Sequence, residues 1–174
     1  MLSSVWSYIE EGPMRSLVVD LKSEAVPEAD VRPRFKRLST FIPHDGSWLE
    51  HEVDVYKEAA RALAESLAQI EMSRMADAAG QARTFVVFAC WPIKMHDDAL
   101  ALLSRRHPGM LILLAHYCIC LKQLDSYWYF TDRAVNLMSL IQGILHPRWH
   151  PFIEEPRAIV LETAERDHSM RFWV

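Results

Sequence analysis

Between Gly109 and Leu121 the chain carries thirteen residues of which only His116 is plainly polar, and Lys122, Gln123 and Asp125 then end the run. A bilayer core requires about 18 or more apolar residues in succession, so no membrane span is predicted here. What remains is a helix covered by protein on every side, or one wall of a cavity. Pro108 opens the run well, because proline at the first helical position gives up an N–H that has no intrahelical acceptor anyway. A helix that is apolar all round cannot stand alone, so other amphipathic helices must cover it.

The rest of the chain reads as such helices, with no strand ladder. Ser47 and Glu50 in SWLEHEVDVY have the spacing of a capping box, and Leu49, Val53, Tyr56, Ala60, Leu63, Leu67 and Ile70 follow at helical period. They predict an amphipathic helix of about seven turns, ending near Ala78-Ala79-Gly80. The segment TFVVFACW reads as helix up to Pro92. His96 or Asp97 is placed to cap DDALALLSRR, whose basic end suits the helix dipole. Past Asp125 and Ser126, the positions Phe130, Ala134, Leu137, Met138, Ile141 and Leu145 form a further stripe.

Prolines at 147, 151 and 156 allow only a turn or a single-turn helix around Trp149 and Phe152. A last helix is predicted from Pro156 to about Met170. Residues 1–46, cut by prolines at 13, 27, 33 and 43, are expected to be an irregular, partly helical segment packed on a helical domain of residues 47–174. The expected fold class is all-α: a single-domain helical bundle around the central apolar helix, with a hydrophobic pocket.

Composition agrees with a buried core and narrows the partners. A chain of 174 residues that is 51 % hydrophobic and 24 % charged is long enough to enclose such a helix. Its net charge of −4 gives no basic face to displace counterions, so direct nucleic-acid binding by this chain is not expected. Cys90, Cys118 and Cys120 are too few for a disulfide framework, and MLSSVWSYIEE has no basic segment followed by an apolar one. An intracellular, cytoplasmic or nuclear protein is expected. Cys118 and Cys120 lie two apart, on nearly opposite faces of a helix, and Pro147 separates His146 from His150, so neither pair predicts a metal site. No phosphate loop, nucleophile elbow or zinc-protease motif occurs, and no cofactor is expected.

His116 is either a core histidine bonded to a backbone carbonyl, or the polar point that orients a ligand in an apolar pocket lined by Tyr117, Tyr127, Trp128 and Tyr129. A family likeness bears on that choice. Trp91-Pro92, Pro108, Ala115-His116-Tyr117, Leu124-Asp125, Trp128-Tyr129 and the segment from Trp149 to Pro156 follow one another in an order that resembles the C-terminal regulatory region of fungal zinc-binuclear-cluster transcription factors of the sterol-uptake-regulator type. The likeness spans about 65 residues, from Pro92 to Pro156, and more loosely Tyr56 to Leu67. It implies an all-helical ligand-binding domain, sterol-binding in the best-understood members, whose occupancy controls access of the activator to the nucleus. The family's DNA contact needs a zinc cluster of six cysteines in a basic segment, and the three cysteines here are not so placed. Two positions also depart from the pattern: Asp132-Arg133 stands where the family commonly has Gly-Trp, and Glu155 where it commonly has a second Trp.

Three functional expectations follow. The first is a module binding a lipophilic, sterol-like metabolite through Trp91, His116, Tyr117, Trp128 and Tyr129. The second is a stand-alone enzyme derived from that module, a cofactor-free isomerase or cyclase of secondary metabolism, with His116 or Asp132 moving protons and Arg133 stabilising negative charge. The third is a truncated interaction module that forms a homodimer through its apolar helices.

Overall fold

The computed structural model describes residue 38 and residues 47–75, 91–125, 127–128 and 130–161, the side chains of 69–75 excepted. These residues form one all-α domain. Helix α1 spans Glu50–Met75, α2 Asp97–Ser104, α3 Pro108–Lys122 and α4 Arg133–Ile144, followed by a 3-10 helix over Pro147–Phe152. Residues 91–94 and 154–161 are helical as well, and there is no strand among the described residues. None of the helices described there is long and apolar enough to cross a membrane.

The apolar run is α3, and it is the centre of the domain. Thirteen of its fifteen residues are buried. It has no polar face to turn outward, and it is covered by α1, α2, α4 and the 3-10 helix. Helix α1 meets the core through Tyr56, Ala59, Ala60, Leu63, Ala64 and Leu67, the stripe that its 3.6-residue period predicts. Helix α4 contributes Ala134, Met138 and Ile141, and Trp149 and Ile153 close the far end. Cys118 and Cys120 are buried free thiols. The Cys118 thiol donates to the Leu114 carbonyl at 3.3 Å, and burial pushes its pKa up to about 12, so it is an inert core residue.

Two local features fix how α3 begins. Helix α2 ends in a Schellman motif: the Arg106 N–H donates to Leu103 O at 2.9 Å and the His107 N–H to Leu102 O at 3.0 Å. Arg106 takes the left-handed conformation, φ 58°, that the motif requires and that glycine usually supplies. Pro108 then holds His107 extended, at φ −57° and ψ 129°. The first turn of α3 also comes against two rings. A Cβ on Gly109 would lie 2.5 Å from Trp48 Cη2 and 2.8 Å from Tyr56 Cδ2, so only glycine permits this approach.

The start of α1 differs from the sequence expectation. Its N-cap position is Leu49, and the Glu52 carboxylate accepts the Leu49 N–H at 2.9 Å. The glutamate half of a capping box therefore forms between positions 49 and 52 and not between Ser47 and Glu50, and Leu49 has no side-chain oxygen to supply the other half. Turning the Trp48 ring into the core delays the helix by two residues, and it leaves Leu49 62 % exposed, off the stripe. The expectations for residues 1–46 other than Leu38 and the chain at 47, for the end of α1 near Gly80, for the segment before Trp91 and for the helix beyond Leu161 fall outside the described residues.

Candidate functional site

The side chains singled out from the sequence are not gathered into one place. Trp91 and Tyr117 are in contact, with ring centroids 5.1 Å apart, and both are core residues. The Trp91 indole N–H donates to the Ala59 carbonyl of α1 at 3.0 Å. His116 is buried, and its Nδ1–H donates to Ile112 O, one turn back in α3, at 3.0 Å. Trp128 is 85 % exposed, on the turn between α3 and α4. Tyr129 lies outside the described residues. Asp132 is the N-cap residue of α4, with φ 60°, and Arg133 in the first position of that helix is exposed. His146 Nδ1 accepts the Arg148 N–H at 3.3 Å and the His150 Nε2–H donates to Leu145 O at 2.9 Å, so both rings serve the backbone of the proline-rich turn. No group of three metal-ligating side chains forms among the described residues.

The chemistry concentrates where the N-terminal ends of α1 and α3 meet. His107, placed by the Schellman motif and Pro108, points its imidazole inward, and only 9 % of the side chain is exposed. Both ring nitrogens are sealed from solvent without a hydrogen-bond partner. Trp48 stands edge-on to the imidazole at 4.6 Å between centroids and to Tyr56 at 5.1 Å. Trp149 lies 6.1 Å from Trp48. The Tyr56 hydroxyl donates to Leu38 O at 2.8 Å, which fixes that ring. Glu52 completes the corner: the capping bond to Leu49 holds its carboxylate so that Oε2 is 3.9 Å from His107 Nε2, beyond direct hydrogen-bond reach.

This corner joins an aromatic enclosure to two polar groups whose hydrogen-bonding capacity is not spent. A buried donor or acceptor left unmatched costs about 1–3 kcal/mol, and in a folded protein it is accounted for by strain, by an ordered water or ion, or by a function. No protein-family model, curated protein or solved structure matches this chain.

Nothing in the local sequence announced His107, because it is buried against Trp48, about sixty positions upstream and just before α1. The available signal was Gly109. Glycine in the first turn of so apolar a helix gives up about 1 kcal/mol of helix propensity, and that loss marks a close approach by another element.

Burial pushes the His107 imidazole below its ordinary 6.5; Glu52 opposes the shift and Arg105 adds to it. The unfolded chain then binds a proton that the folded protein refuses. Stability is complete above the unfolded value and falls as the pH drops below it toward the lowered folded value. Between about pH 7 and about pH 5.5, the melting temperature is expected to fall more steeply for the wild type than for His107→Phe. Parallel slopes would show that His107 protonates freely in the folded protein.

Proposed function

We propose that this chain is a regulatory small-molecule-binding module, related to the regulatory regions of fungal zinc-cluster activators, and that its lipophilic ligand is oriented by His107 and Glu52. The observation that carries the reading is the enclosed imidazole with two unbonded nitrogens beside a carboxylate, packed against the Trp48 ring that in turn meets Tyr56 and Trp149. Ligand sites have this make-up, mostly apolar walls with a few placed polar groups. His116 is a poorer anchor, since its Nδ1 already serves Ile112.

Two further observations support the family likeness. The resembling segments that begin at Pro108 and at Trp149 are distant in sequence and meet around Trp48. Asp132 also takes the left-handed backbone, φ 60°, that a glycine in the family's Gly-Trp pair adopts freely. Asp132 is thus assigned a backbone role. Asp132→Gly is expected to keep or raise stability by about 0.5 kcal/mol and Asp132→Val to lower it by about 1–2 kcal/mol, measured by urea unfolding. Equal loss in both variants would mean that the carboxylate matters for itself.

An imidazole beside a carboxylate is also what proton transfer requires, and this favours one version of the enzyme reading. The isomerase or cyclase alternative then rests on His107 and Glu52, with His116, Asp132 and Arg133 set aside.

A screen of sterols and of polyketide- and terpenoid-like metabolites tests the proposal. A ligand of this corner raises the melting temperature with the logarithm of its concentration and loses that effect in Trp48→Ala. If no compound shifts the melt, the binding reading is wrong and the dimerising module takes its place. Turnover of a bound compound that is lost in His107→Gln would favour the enzyme.

A further inference from the structure

Resting on the reading that this corner takes a ligand, we infer that the ligand is a neutral hydroxyl compound, an alcohol or phenol on an apolar body, whose oxygen bridges His107 Nε2 and Glu52 Oε2. The two atoms stand 3.9 Å apart. That is too far for a direct bond, and close enough for one oxygen to bond both at roughly 2.8 Å.

The chemistry of the two ends sets the class. The Glu52 carboxylate only accepts, and it already holds the Leu49 N–H. A neutral imidazole donates through one nitrogen, and with the proton on Nε2 it presents that donor to the gap. A hydroxyl can accept from Nε2–H and donate to Oε2 at the same time. A ketone or an ether accepts only, and leaves Glu52 unserved. A carboxylate would face Glu52 with like charge. An ammonium has no lone pair to accept the Nε2–H, so with that tautomer it would serve Glu52 alone. Water offers the same two bonds as an alcohol, but the rings of Trp48, Tyr56 and Trp149 favour an oxygen that brings an apolar body with it.

The test compares four probes that share one aromatic body, 2-naphthol, naphthalene, 2-naphthoate and 2-naphthylmethylamine, on the full chain. Affinity is read by calorimetry, and the imidazole nitrogens by long-range 15N NMR. 2-Naphthol is expected to bind at least about tenfold more tightly than naphthalene and to shift the His107 Nε2 resonance. His107→Phe keeps a ring of similar size, and it should bind naphthol and naphthalene alike. If the wild type binds those two equally, or prefers the naphthoate or the ammonium compound, the hydroxyl class is wrong while the ligand-binding reading stands. A preference that survives in His107→Phe, or a bound naphthol that leaves the His107 resonances unmoved, puts the hydroxyl elsewhere and also overturns the inference. If none of the four binds and the metabolite screen is equally silent, both readings fall together.

Discussion

Leu113→Asp is expected to leave no cooperative folding transition. Leu113 has no exposed surface and lies in the middle of α3, the helix that four other elements cover. Removing a buried leucine side chain costs about 2–5 kcal/mol. An uncompensated carboxylate in the same place adds several kcal/mol more, or must take up a proton to remain there. The sum is comparable with the whole stability of a typical domain, about 5–15 kcal/mol. Lys57→Ala, on the exposed face of α1, serves as the control and should change stability by about 0.5 kcal/mol or less. Thermal melts followed by circular dichroism separate the two. A sharply melting Leu113→Asp protein with a native spectrum would mean that α3 is not enclosed.

The fold was legible from the sequence where burial is periodic or complete, and illegible where it depends on elements meeting at a distance. The α3 run declared itself by having no polar face, and Pro108 gave its start. The Tyr56, Ala60, Leu63 and Leu67 stripe of α1 did the same. The 3-10 helix over Pro147–Phe152 follows from its prolines. The capping position of α1 was misjudged by two residues because the indole of Trp48 is anchored by tertiary contact with Gly109 and His107, which no local pattern reports.

The candidate site follows the same rule. An aromatic residue or an isolated histidine in an apolar helix attracts notice in a sequence; Trp91, His116 and Tyr117 are all buried in the core, where Trp91 packs on Tyr117 and the Trp91 indole and His116 Nδ1 donate to backbone carbonyls. His107 sits among Ser104, Arg105 and Arg106, where it reads as one more polar residue on a solvated turn. Its importance arises only when the Schellman turn rotates it inward and α1 brings up Glu52.

Trp91 supplies the second large effect. Trp91→Ala is expected to destabilise the protein by about 3–5 kcal/mol, the cost of emptying a large buried site. The indole has no exposed surface, it packs on Tyr117, and it ties the helical residues 91–94 to α1 through Ala59. Trp91→Phe retains most of the ring and gives up the N–H, so it should cost only about 1–2 kcal/mol. Trp128→Ala, on an 85 % exposed side chain, should change stability by about 0.5 kcal/mol or less. The three variants together also decide whether Trp91 is a ligand contact. If its work is to hold α1 against α3, a compound that raises the melting temperature of the wild type raises that of Trp91→Phe by the same amount, from a lower start. Loss of the ligand's effect in Trp91→Phe with little loss of apo stability would give Trp91 a place in the binding site, and would move the ligand from the His107 corner toward the middle of α3.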